Sequence, residues 1–533
     1  MSAHLCGRRR RTLLAVVAVV ALFWAIASWR RSSGAAPRPR WLRDGGEGAA
    51  WTGAGGGDGA GGRSKVDVLD ALARASPWTD VDEDAAATAA AAPAGRALTP
   101  DELTAALELM DERLRIYKVS LPKRMKLFTK QCGVNFGHIR GYGVEKYFVE
   151  QLHAGSRWRT DEVAEASLFF LPVTPCAARW EHKVPGMSKD ENYEVAKRFT
   201  KEYVAKAVQV VRDAVPAHVV ERLAWRNFFW ISSQDRGVEF AEKADATFAL
   251  NAVALVNTAD EAMGFRACRD VATVCNVNFD LPPIADGLIE AADPWLARRR
   301  LSVRGGQAWN AAPGAAERLA GEPDAAERSV RSSNYGFEAS DPMLSPRKRL
   351  AFFAGNLESN IIRKNLHARF GVNGADGSGD GGILMVEGRM DDDAYRQALA
   401  SSTFCLHIAG HQVWSPRLIE YLWFGCVPVI IADGYFLPLA GLLDWSEFSV
   451  KVCMRDAHRV DQILAGLSAS RVDELRKGVL SVRHHFTYYA EPRFGDAFHM
   501  TLLQLFMRSL RLTTRREDDL GGCPAVADSC LTV

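Results

Sequence analysis

The sequence predicts an α/β protein with two domains facing a cleft, preceded by a single transmembrane helix and a low-complexity stem. Three observations predict it. From Pro346 onward, strand and helix signals alternate at the rhythm of a doubly wound parallel sheet. A weaker version of that rhythm runs from Glu112 to Asp286, and an uncharged stretch, Thr12 to Trp29, lies between Arg8–Arg11 and Arg30–Arg31. A chain of 533 residues has room for two or three domains. Hydrophobic residues at 48% and charged residues at 24% describe an ordinary core-forming chain. The net charge of +2 carries no nucleic-acid signature.

Taken in order, residues 1–11 form a basic tail, and residues 12–29 are just long enough to cross a bilayer as one helix. The apolar stretch exceeds the usual core of a cleaved signal peptide, and bulky Phe23, Trp24 and Ile26 sit near its end, so a signal anchor is expected. Positive charge on its N-terminal side favours a cytoplasmic N-terminus and a lumenal body. Residues 30–100 shift to Gly, Ala, Arg and Pro, with "GAGGGDGAGG" and "DAAATAAAAPAG" as low-complexity runs that cannot bury enough apolar surface to fold. They read as a flexible stem.

The first domain is expected over 101–290. Its signals are "RLRIYKV", a helix near "YGVEKYFVEQLHAG", the strand "ASLFFLPV", the long helix "NYEVAKRFTKEYVAKAVQVVRDAV", and the segments "NFFWISS", "TFALNAV" and "DVATVC". An Arg-, Ala-, Gly- and Pro-rich linker or insertion, 291–345, separates it from a second domain over 346–515. There "RLAFFAG", "GILMVEG", "TFCLHIAG", "VPVIIAD" and "FSVKV" read as strands. "NIIRKNLHARFG", "DDDAYRQALASS" and "VDQILAGLSA" read as helices. A tail, 516–533, follows. A cleft between two such domains is a usual place for a small ligand.

The stretch "WSPRLIEYLWFGCVPVII", Trp414 to Ile431, carries the most chemistry. Ser415 and Pro416 suit an N-cap and first helical residue, Arg417 and Glu420 share a helix face, and Gly425 suits the helix end. Val427 to Ile431 reads as a strand buried on both faces. Ligands of open α/β sheets gather at the carboxyl ends of strands. Arg417 would serve an anion there, and Glu420 would accept from sugar hydroxyls, as acidic residues do on a ribose. From the pair alone, a solvent-facing ion pair is the plainer account.

Three longer words carry a family resemblance: "RKRLAFFAGN" with Arg363 beyond it, "SSTFCLHIAGHQVWSPRLIEYLWFGCVPVIIAD", and "PLAGLLDWSEFSVKV", in order from Arg347 to Val452. This half resembles the exostosin-like glycosyltransferase family. The first half agrees more faintly, and where the family carries a Gly-x-Asp-His word this chain has Arg226 and Asn227. The resemblance implies a two-Rossmann GT-B architecture and a type II Golgi membrane protein with its body in the lumen. It also implies an inverting, metal-independent transfer from a nucleotide-diphosphate sugar, commonly a UDP-sugar, to a glycan acceptor. Gly355, Asn356, Arg363, Ser415, Arg417 and Glu420 would bind the donor. Asp235, after "FFWISS", is the candidate general base, a carboxylate able to take the acceptor hydroxyl's proton; it also fits a plain turn residue. A homo- or hetero-oligomer with another glycosyltransferase is a further expectation. So is an inactive, glycan-binding or partner-stabilising relative, suggested by the missing word.

Other signals are weaker. Asp391 to Asp393 open a helix, where capping accounts for them without a metal. His407 and His411 lack a third ligand, and His484 and His485 suit a helix surface. Cys268 with Cys275 and Cys523 with Cys530 are close enough in sequence to pair, while Cys405 and Cys426 read as buried small hydrophobes.

Overall fold

A computed structural model describes residues 98–127, 132, 142–181, 184, 186–267, 269–275, 347–371 and 381–512. The expected anchor, most of the stem, the linker and the C-terminal tail therefore lie outside the described residues.

The first sheet is built from β1 (Ile116–Lys118), β2 (Arg159–Thr160), β3 (Leu168–Phe170), β4 (Phe228–Ser232), β5 (Val253–Val256) and β6 (Val271–Ala272). They run parallel in the order β2-β1-β3-β4-β5-β6. Helices α1 (Pro100–Arg113), α2 (Val144–Gln151), α3 (Pro175–Glu181), α4 (Lys189–Ala214), α5 (Ala217–Leu223) and α6 (Ala246–Asn251) accompany it. Local chemistry sets the ends of the long ones. Thr99 and Glu102 close a capping box on α1, and Ser188 and Glu191 do the same for α4. The Tyr203, Val204, Ala207, Val208 and Val211 positions of α4 recur at helical spacing and are buried. Phe169 stacks on Phe228 at 4.6 Å and Phe170 on Phe229 at 4.8 Å, so one aromatic ladder joins β3 to β4.

The second sheet comprises β7 (Arg349–Gly355), β8 (Gly381–Glu387), β9 (Ser402–Ile408), β10 (Val427–Ile431) and β11 (Val450–Lys451), all parallel, in the order β11-β10-β9-β7-β8. Its helices are α7 (Ile361–Phe370), α8 (Asp392–Ser401), α9 (Arg417–Trp423), α10 (Val460–Ala465), α11 (Ala469–Val482) and α12 (Ala497–Leu512). Both sheets reverse strand order after their first strand, between β1 and β3 and between β7 and β9. In such sheets that reversal opens a crevice at the carboxyl ends. The chain is thus an α/β protein of two Rossmann-like domains.

Several expectations change. "TFALNAV" is mostly helix, because Asp245 caps α6 through Phe248 N–H at 3.0 Å and the strand waits until Val253. His484 and His485 are not on a helix surface. Both are buried and bond to the Phe494 and Gly495 carbonyls at 2.8 and 2.6 Å. Cys405 and Cys426 are buried as expected, but they form a disulfide, since β9 and the turn before β10 bring their Cα atoms to 5.7 Å. Cys275 is a free, buried thiol and so does not pair with Cys268. Cys132 joins Cys176 instead.

Candidate donor-binding site

Two strand ends with the same word, Ala354-Gly355 and Ala409-Gly410, flank the reversal point of the second sheet. Their glycines make room for two arginines. A Cβ on Gly355 would lie 2.6 Å from Arg417 Nη2, and one on Gly410 would lie 2.8 Å from Arg363 Nη2. Both guanidinium groups face the ring of Phe353, with Cζ 5.1 Å away for Arg363 and 5.7 Å for Arg417.

The two differ in commitment. Arg363, from α7, is 5% exposed. It donates to Asn356 O at 2.9 Å, Ser359 Oγ at 2.8 Å and Ile408 O at 2.5 Å. It ties the ends of β7 and β9 together and places charge behind the surface. Burial lowers its pKa to about 10, and Arg417 adds to the shift. Arg417 is half-buried, and among the described residues its guanidinium bonds only to Ser415 Oγ, 3.4 Å from both the backbone N and Nη1. Neither arginine forms an ion pair with a carboxylate among the described residues.

The helix α9 starts one residue later than the spacing predicts: Pro416, not Ser415, is its N-cap, and no side chain caps it, because Ser415 Oγ reaches only the backbone N–H of Arg417, at 3.4 Å. The helix ends in a Schellman motif: Gly425, at φ 65°, donates to Leu422 O at 3.2 Å, and Cys426 to Tyr421 O at 2.9 Å. The strand Val427–Ile431 follows, with every residue buried.

Glu420 is 5% exposed and forms no ion pair with Arg417, which removes the solvent-facing pair as an account of these two residues. The Tyr395 hydroxyl donates to Glu420 Oε2 at 2.7 Å. Tyr395 comes from α8, and no local pattern in the sequence marks its reach to α9. Asn356 is exposed, and its side chain caps the following turn through Glu358 N–H at 2.8 Å.

The metal and histidine signals resolve locally. Asp391 Oδ1 accepts from Asp393 N–H and Ala394 N–H at 3.0 and 3.2 Å, the N-cap geometry expected of it. His407 is buried and bonds through Nε2 to Val413 O at 2.8 Å, so it braces the loop that leads to α9. Burial lowers its pKa to about 4, with Arg417 and Arg363 adding to the shift.

Asp235 follows β4 of the other sheet. It is half-buried and accepts from the Tyr142 hydroxyl at 2.9 Å. Burial, then Asp235, pushes the Tyr142 pKa up. The Tyr142 ring meets Trp414 edge-on at 5.6 Å, so one aromatic pair connects the turn after β4 to the loop before α9. Glu145, at the start of α2, fixes the same turn from below. It accepts from Ser233 N–H, Ser233 Oγ and Cys176 N–H, each at 2.9 Å, and burial pushes its pKa up to about 8. Neither Tyr142 nor Glu145 was singled out from the sequence. The word "YGVE" sits in a helix start whose partners lie 88 and 93 residues away.

Residues 334–467, which include β7 through α10, match the exostosin GT47 domain. This segment carries an exostosin GT47 domain. One Arabidopsis thaliana relative, named as a probable glycosyltransferase, is 33% identical over 166 residues, 31% of this chain and 34% of the relative. Another, named as a probable glucuronoxylan glucuronosyltransferase, is 30% identical over 190 residues, 33% of this chain and 40% of the relative. A probable glucuronosyltransferase of Oryza sativa subsp. japonica aligns more widely, at 26% identity over 407 residues, 74% of this chain and 79% of the relative. The chain spans about a third of the length of the first curated relatives it matches. The arginines, Ser415 and Glu420 all fall inside the GT47 match.

Proposed function

We propose that this GT47 protein is an inverting glycosyltransferase that moves a sugar from a nucleoside-diphosphate sugar, a UDP-sugar first among them, to a polysaccharide or glycoprotein glycan. The observation that carries the reading is the pair of guanidinium groups gathered on Phe353 at the reversal point of the second sheet, without a carboxylate among the described residues to neutralise either. Holding two like charges together is unfavourable unless an anion joins them. A diphosphate supplies that anion, and charge building on it as the sugar leaves is what the arginines would offset, without a metal. Glu420, fixed by Tyr395, would accept from the ribose. Asp235, across the Tyr142–Trp414 contact, would take the acceptor proton. This arrangement is consistent with a GT-B cleft between the two sheets. Relatives named for glucuronosyl transfer make UDP-glucuronate the first donor to try.

The disulfides at Cys132–Cys176 and Cys405–Cys426 fit an oxidising compartment and so support a lumenal body behind a type II Golgi anchor. The retained donor residues favour an enzyme over an inactive glycan-binding or partner-stabilising subunit. UDP release by the full chain, with and without glycan acceptors, separates the two.

The donor assignment is tested by calorimetry with UDP and uridine. Arg417→Ala removes a charge-assisted contact of roughly 1.5 to 3 kcal/mol and should weaken UDP far more than uridine. Glu420→Gln keeps the volume and an acceptor for Tyr395, and should weaken both alike. Negligible effects from both changes in folded protein would refute the assignment. UDP affinity should also survive EDTA; its loss, restored by Mn²⁺, would overturn the metal-independent reading.

A further inference from the structure

A second cationic cluster stands at the carboxyl edge of the first sheet. Arg179, in α3, donates from Nη1 to Gln234 Oε1 at 2.5 Å, and its Cζ lies 4.8 Å from the centroid of the Tyr193 ring. Arg236 lies 5.3 Å from the same centroid and donates from Nε to the Tyr193 hydroxyl. Tyr193 therefore gathers two guanidinium groups. Arg236 has Glu239 at 3.6 Å, but Arg179 forms no ion pair among the described residues, and it is half-buried rather than enclosed.

Gln234 adds an independent observation. It is 1% exposed, and its Nε2 has no hydrogen-bond partner among the described residues. Flipping the amide would set Nε2 against the Arg179 N–H groups, so the orientation is forced and a buried donor remains unanswered. Asp235, the proposed base, is the next residue, and the Arg179 charge also acts on Tyr142, its hydrogen-bond partner.

A planar cation without a counter-ion, beside an orphaned amide donor, fits a planar anion with two acceptor oxygens. We propose that Arg179, oriented by Gln234, reads the carboxylate of an acidic sugar unit next to the reacting centre. That the carboxylate belongs to a sugar rests on the glycosyltransferase reading; the unpaired cation does not. An acceptor residue is one source of that carboxylate, and the sugar of the donor is the other.

The test uses the full chain and matched probes differing only in the carboxylate. Tetragalacturonate and its carboxyl-reduced counterpart probe the acceptor; UDP-glucuronate and UDP-glucose probe the donor. The charged member of one pair should bind about 10- to 100-fold more tightly, and that pair identifies the source. Arg179→Gln retains a donor for Gln234 but no charge, and should erase the preference while UDP affinity and melting temperature stay unchanged. Arg179→Lys should restore part of it. Equal binding or no binding within both pairs by the wild type overturns the proposal. So does a preference that survives Arg179→Gln, or one lost only together with stability. Failure of the wild type to bind UDP would instead sink the glycosyltransferase reading, and the oligosaccharide pair would still report on Arg179.

Discussion

A methyl group is the smallest probe of the two arginines on Phe353. Gly355→Ala sets a Cβ 2.6 Å from Arg417 Nη2, the mobile end of a long side chain, so the guanidinium should move and the fold should not. UDP affinity should drop about tenfold by calorimetry with the melting temperature nearly unchanged, the cost of one displaced charge-assisted contact. His407 offers a second probe, through pH. Its folded pKa is about 4 against an ordinary 6.5, so between those values the unfolded chain binds a proton that the folded chain refuses. Its contribution is complete above pH 6.5 and is lost as pH falls towards 4, up to about 3 kcal/mol. His484 acts in the same direction. Glu145, with its pKa raised to about 8, acts in the opposite one, losing its contribution as pH rises from 4.5 to 8. A difference measurement isolates His407: the urea midpoints of wild type and His407→Gln should converge between pH 7 and pH 4.5. Parallel curves would show that His407 titrates normally.

At the scale of elements, α9 and its turn are the best-defended part of the candidate site. The Cys405–Cys426 bridge spans 21 residues of chain that include the His407-braced loop and α9. Replacing both cysteines with serine should cost about 3 kcal/mol, read by urea denaturation, and should loosen UDP binding because Arg417 and Glu420 ride inside the bridged segment. Gly425→Ala forces a Cβ into the left-handed region and should cost about 1–2 kcal/mol. This element was also the most legible in the sequence. Helix, terminating glycine and buried strand all belong to one short stretch, and each follows from local rules; only the cap slipped, by one residue, to Pro416. What surrounds it was not legible, because its partners come from elsewhere in the chain. Tyr395 reaches Glu420 across 25 residues, Tyr142 reaches Asp235 across 93, and Arg179 reaches Gln234 across 55. Hydrophobic periodicity cannot report such pairings. The first sheet read faintly for a related reason: β2 and β6 are two residues each, too short for a period.

For the described residues as a whole, the two sheets are tied by more than the Tyr142–Trp414 contact. Phe436 N–H donates to Ala259 O at 2.9 Å, Tyr488 to Val274 O at 3.1 Å and Tyr147 to Tyr489 O at 2.6 Å. One buried apolar cluster includes Phe229 and Ile231 of the first sheet and Phe353 and Phe404 of the second. A ligand held by one sheet should therefore protect both. UDP at about 100 times its Kd should add about 2.7 kcal/mol, and amide exchange should slow in β4 and β5 as well as in β9 and β10. Protection confined to the second sheet would show that the halves open independently. Helix α12 completes the tie. It follows the second sheet in the chain, yet Phe498 packs on Phe148 at 4.8 Å and on Trp158 at 5.5 Å, and Arg508 donates to the Ala267 carbonyl at 3.2 Å and to that of Asp270.

That crossing has a consequence for biosynthesis. A nascent chain emerges in order, so the first domain leaves the ribosome with the apolar sides of Phe148 and Trp158 uncovered. It must wait for the entire second sheet to be made before Phe498 arrives. During that interval the first domain is a half-finished body with a hydrophobic scar, a natural client for chaperones.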